Sequence, residues 1–140
     1  MSMLREMIAI DTKNLERRLR EDKEFDESIV LGSQNPDIHI FINKYIAEKG
    51  LAHKDIIRKL NVERGHGYQL LNGKRIPTRV QIIKLGFLFG LTFEETQKLL
   101  KVAGKESLYA KNITDAKVIY AIEHNFDFDT ACEFIWGEET

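Results

Sequence analysis

Cysteine is almost absent. Cys132 is the only one in 140 residues, so no internal disulfide can form, which fits a reducing compartment. Histidine is nearly as scarce. His39, His53, His66 and His124 include no pair four apart, and with one cysteine no zinc-finger or zincin spacing exists. There is no phosphate-cradling G-x-x-x-x-G-K-[ST] loop and no G-x-S-x-G elbow. Gly65-His66-Gly67 lacks the third glycine of a dinucleotide fingerprint. Cys132 and His124 make a poor nucleophile and base, since nothing polar nearby would orient the histidine. Neither an enzyme nor a metal or other cofactor is therefore expected. Long apolar runs are missing too, and 31% of residues are charged, which argues against a membrane span. The opening MSMLREMIAIDT is too short in apolar residues for a secretory signal, so a cytoplasmic location is expected. Proline is restricted to Pro36 and Pro77, which leaves long stretches free to be helical.

The periodicity that remains is that of helices, and no alternating strand pattern competes with it, so the class expected is all-α. Leu15 and Leu19 mark a thin helix over residues 13–22, and residues 31–36 read as a linker. Asp37 opens a helix running to Lys49, with Ile38, Phe41, Ile42, Tyr45 and Ile46 on one stripe and Gly50 as its stop. Further helices follow over residues 53–60, 64–72 and 79–89, the last almost wholly apolar and expected at the centre. Thr92 and Glu95 form a capping box for a helix to about Ala103. Residues 115–124 and 128–136 form a final pair, broken at Asn125. The organisation expected is an N-terminal arm and linker over 1–36, a domain over 37–104, and a C-terminal pair over 105–140.

Charge is unevenly distributed. From Arg58 to Lys84 there are seven basic residues against Glu63 alone, a local net of +6, so the rest of the chain carries −7. Residues 118–140 hold six acids and no Lys or Arg. A basic face on an acidic body is the footprint of a polyanion site.

The order of helices and turns carries a resemblance. Gly50-Leu51 opens a turn, Leu60-Asn61-Val62 stands where an L-G-V turn would, and Asn72-Gly73-Lys74-Arg75 with Pro77-Thr78 follows the pattern x-G-K-R-x-P-S. Residues 40–101 in this respect resemble the helix-turn-helix domains of the Xre/Cro repressor-like family. Residues 86–135 further resemble a Gram-positive subgroup that carries an added C-terminal helical pair, its motifs standing at 90–100 and 108–116. The resemblance implies a five-helix repressor-like domain that binds double-stranded DNA, with residues 64–72 in the major groove. It makes Arg64 and Gln69 base-reading candidates, suited to guanine and adenine as bidentate partners. His53, Tyr68, Lys74, Arg75 and Arg79 become candidates for phosphate.

Several residues depart from that pattern. Ala52 and Glu63 stand where small polar caps are usual, and Glu63 would repel a phosphate. Gly65 and Gly67 each cost about 1 kcal/mol of helix propensity, and Gly67 stands where the family normally has an apolar core residue. A third helix that is loose, distorted or ordered only on binding is therefore expected. Two functions follow: a dimeric DNA-binding transcriptional regulator or, alternatively, a protein-interaction module on the same fold. Phe126, Phe128, Phe134, Ile135 and Trp136 are the candidate surface for a homodimer or protein partner.

Overall fold

A computed structural model describes residues 38–138 and, ahead of them, Glu16, Arg17 and Arg20. The chain divides into two units, Met1–Pro36 and Asp37–Thr140. In the first, Glu16, Arg17 and Arg20 are helical and exposed. The rest of the helix expected over 13–22, the linker over 31–36 and the Asp37 helix start lie outside the described residues.

The second unit is seven helices, with no strand among the described residues. They are α1 (Ile38–Lys49), α2 (His53–Leu60), α3 (Arg64–Asn72), α4 (Arg79–Phe89), α5 (Phe93–Val102), α6 (Ile113–Glu123) and α7 (Phe128–Trp136). Local chemistry sets most boundaries. Thr78 and Gln81 form a capping box on α4, and Thr92 and Glu95 one on α5. The Asn112 and Asp127 side chains accept from the first-turn amides Asp115 N and Thr130 N, opening α6 and α7. Asn61 (φ 56°) and Asn125 (φ 55°) take the left-handed conformation that stops α2 and reverses the chain after α6.

The apolar α4 lies at the centre, as its composition predicts. Ile82, Ile83, Leu85 and Phe89 are buried, and α1, α2, α5 and α7 all pack against it. The α1 stripe is buried in full, and its Tyr45 ring stacks on Phe89 at 5.4 Å. Burial there pushes the Tyr45 hydroxyl pKa up to about 12, with Glu95 and Glu48 adding to the shift. Helix α3 rests on α1 and α2, while α6 and α7 pack on each other and reach the core through α5 and α4.

The ten-residue connection from α5 to α6 is held by side chains. Gln97 Oε1 accepts from Leu108 N at 2.7 Å. Arg79, the first residue of α4, donates to the carbonyls of Glu106 and Ser107 at 3.0 and 3.1 Å. Its two terminal nitrogens also grip Asp115 at 3.0 and 2.8 Å, and Asp115 accepts from Tyr109 N at 2.9 Å. The Arg79 bonds hold the buried Asp115 carboxyl below its ordinary value, against the opposing effect of burial.

Candidate nucleic-acid interface

Helix α3 is short but regular, and its glycines have a physical reason. A Cβ on Gly67 would lie 2.5 and 2.7 Å from the two γ carbons of Ile57. The place of the apolar residue expected at Gly67 is thus filled from α2, whose side chain the backbone of α3 approaches closely. Gly73 ends the helix at φ 88°, and a Cβ there would sit 2.7 Å from the His39 ring on α1. The looseness expected from Gly65 and Gly67 is not found: α3 is capped at both ends and wedged against two helices.

At its N-terminus Glu63 serves as the cap. One carboxylate oxygen accepts from Gly65 N at 2.8 Å and the other from His66 N at 2.9 Å. These amide bonds, Gly65 first, hold the carboxyl below its ordinary value. They also place a negative charge on the turn nearest Arg64.

The solvent face of α3 carries Arg64, Tyr68 and Asn72, with Gln69 half-buried beside them. The Arg64 guanidinium lies over the Tyr68 ring, 5.7 Å from its centroid. Gln69 Oε1 accepts from Arg75 Nε, so a base-reading candidate and a phosphate candidate are bonded to each other. Asn72 Oδ1 accepts from Lys74 N at 3.0 Å, and Arg75 N donates to Gln69 O at 3.1 Å, which folds the loop back on the helix end.

His53 is engaged from behind. Its Nε2 lies 2.7 Å from Asn43 Oδ1, and Asn43 Nδ2 donates to His39 O and Leu71 O, each at 2.7 Å. With both amide hydrogens so used, Oδ1 accepts and His53 Nε2 carries the proton. Asn43 therefore ties α1 to the start of α2 and the end of α3. Its signal in the sequence was a polar residue next to an apolar stripe, which was not singled out.

The cations of the basic stretch fall into two groups. Arg58 pairs with Asp55 at 3.3 Å and Lys59 with Asp129 at 3.1 Å. Lys84, only 9% exposed, pairs with Glu138 at 2.7 Å, and Arg79 pairs with Asp115. Asp129 and Glu138 come from the acidic stretch, so the fold brings the two halves of the charge asymmetry together. Arg79, expected on phosphate, instead bonds through its Nε and both terminal nitrogens to the α5–α6 connection and Asp115. Arg64, Lys74 and Arg75 have no carboxylate partner among the described residues.

The expected partner surface is also divided. Phe128 and Ile135 are buried in the unit's own core, and Trp136 is half-buried with Lys84 Nζ 5.3 Å from its ring. Phe126 and Phe134 remain accessible, joined by Tyr120, which the sequence reading passed over. Cys132 is buried, which pushes its thiol pKa up, and the His124 Nδ1 is bonded to Tyr120 O at 2.9 Å. Among the described residues no cluster of His, Cys, Asp or Glu could hold a metal, and no helix is long and apolar enough to cross a membrane. In comparison with known proteins, the chain matches no family model, no curated protein and no solved structure.

Proposed function

We propose that the chain is a cytoplasmic, non-catalytic transcriptional regulator of the Xre type. In this reading α1–α5 form a five-helix repressor-like helix-turn-helix domain and α3 enters the DNA major groove. The observation that carries it is the outer face of α3 and its loop, where Arg64, Lys74 and Arg75 are the cations without a carboxylate partner. Arg64 reads guanine through its fork, and Gln69 reads adenine after giving up its bond to Arg75, which then turns to phosphate. Lys74, Tyr68 and the His53 ring complete the backbone contacts. One helix of nine residues spans few base pairs, so two copies on two half-sites supply genomic specificity.

The test is the salt dependence of binding to generic duplex DNA. If Arg64, Lys74 and Arg75 are the cations that meet DNA on each protomer, the slope of log affinity on log salt should be about −3, where all seven of the basic stretch would give about −6. Gln69→Ala is expected to cost about 1–3 kcal/mol at one base pair and to relax preference there, read by binding-site selection.

A second reading, a protein-interaction module on the same fold, is favoured by the Glu63 carboxylate on the N-terminal amides of α3. Absence of binding to any duplex at low salt would select it.

A further inference from the structure

We propose that the outer face of α6 and α7 is the surface through which two copies of this chain pair. Ile113, Lys117 and Tyr120 are spaced four and three residues apart on α6 and so share one face. Ile113 is 78% exposed and Tyr120 48%, and Phe134 on α7 adds a ring 39% exposed. Phe126, from the turn between the helices, meets Tyr120 and Phe134 edge-on, with centroids 5.9 and 5.4 Å apart. Tyr120 and Phe134 are 5.6 Å apart, and His124 stacks on the far side of Tyr120 at 3.8 Å. Each ring is held by at least two others, so docking against the cluster freezes few rotamers. A preorganised aromatic cluster left in water is the usual form of an interaction hot spot.

The charges around it point to a second copy as the occupant. Lys117 Nζ lies 5.7 Å from the Phe134 centroid, a cation set within the patch. Glu123, also exposed, stands three residues after Tyr120 as Lys117 stands three before it, so both charges flank that ring on one face of α6. A uniformly basic partner would face Lys117, and a uniformly acidic one would face Glu123. A copy related by a two-fold axis offers a glutamate to Lys117 and a lysine to Glu123, so the surface complements itself. This inference deepens the regulator reading, which asks for two copies, but it is measured without DNA.

Sedimentation equilibrium of the full chain at about 50 μM, in the range where modest interfaces pair, is expected to show twice the 16.3 kDa chain mass. Tyr120→Ser and Phe134→Ser should each raise the dimer Kd about tenfold or more, with helical circular dichroism unchanged. Lys117→Glu, a change at an exposed residue, should also weaken pairing, most at low salt. A wild-type chain that stays at the single-chain mass overturns the proposal, as does a dimer that none of the three variants weakens. The DNA reading fails separately, on the salt slope of wild-type binding.

Discussion

Lys74 and Arg79 lie five residues apart in the chain and in opposite electrostatic circumstances. Arg79 is gripped by a buried carboxylate and two carbonyls, while Lys74 has no acid beside it among the described residues. The same division runs through the whole basic stretch, with Arg58, Lys59, Arg79 and Lys84 answered by acids and Arg64, Lys74 and Arg75 unanswered among the described residues. Counting charge along the sequence weights these seven equally. A fold does not, because helices packed together bring distant carboxylates to some cations and leave others to solvent. Within this stretch, the positive charge left unanswered by the described residues is thus concentrated on α3 and its loop.

The clamped side breaks most visibly at Asp115. Asp115→Ala leaves the Arg79 charge unanswered and Tyr109 N unpaired, at an expected cost of about 3 kcal/mol. That is the low end for such losses, since the Arg79 side chain is 31% exposed. Urea denaturation measures it, and a loss below about 1 kcal/mol would mean that the pair holds little. The pH dependence has a definite sign. The folded pKa of Asp115 is lowered, chiefly by the Arg79 bonds, so its contribution is full above the unfolded value of about 3.9 and is lost as pH falls through the folded pKa. In that window the alanine variant should show a flatter stability profile than wild type.

Gly67→Ala tests whether the free side depends on how closely α3 is seated. Ile57 is β-branched and stiff within α2, so the added methyl cannot be cleared cheaply. Overpacking near 3 kcal/mol outweighs a propensity gain of about 1, for a net loss of about 2 kcal/mol by thermal denaturation. Combined with Ile57→Ala, the loss should be clearly less than additive.

Binding sharpens the comparison further. Lys74→Ala or Arg75→Ala should weaken association with every duplex and flatten the salt slope by about one, whereas Lys59→Ala should leave the slope nearly as it was. Equal effects from Lys59 and Lys74 would erase the distinction between paired and unpaired cations. The smallest change expected is at Glu63. Serine there keeps a capping oxygen and removes a negative charge, so generic affinity should rise about two- to fivefold at low salt and less at high salt.

Much of the fold could be read before the structure. Residues 53–60, 64–72, 79–89 and 128–136 are helices with the expected bounds, because glycine, asparagine and Thr78 act locally. The same holds for the buried stripe of α1, which needs only a period. Asn112 as the cap of α6 was missed, and that helix starts two residues earlier than expected. What local reading could not reach were relations across helices. That Gly67 is small because Ile57 points at it, that Asn43 serves three helices, and that Asp129 answers Lys59 from 70 residues away are properties of packing. The engagement of Arg79 has the same origin: the resemblance implied a phosphate contact, and the carboxylate that the fold brings to it lies 36 residues downstream.

The Arg79–Asp115 grip also bears on the order of assembly. Helices α2 and α3 meet across a short turn, so their contacts close quickly. The grip must wait for a far longer segment to come round, and loop-closure entropy places it late. A contact made after the transition state slows unfolding without hastening folding. Asp115→Ala is accordingly expected to steepen the loss of native protein over time, in stopped-flow dilution into urea, while the refolding rate stays close to that of wild type. Arg79 then sets how long the native state lasts rather than how soon it is reached.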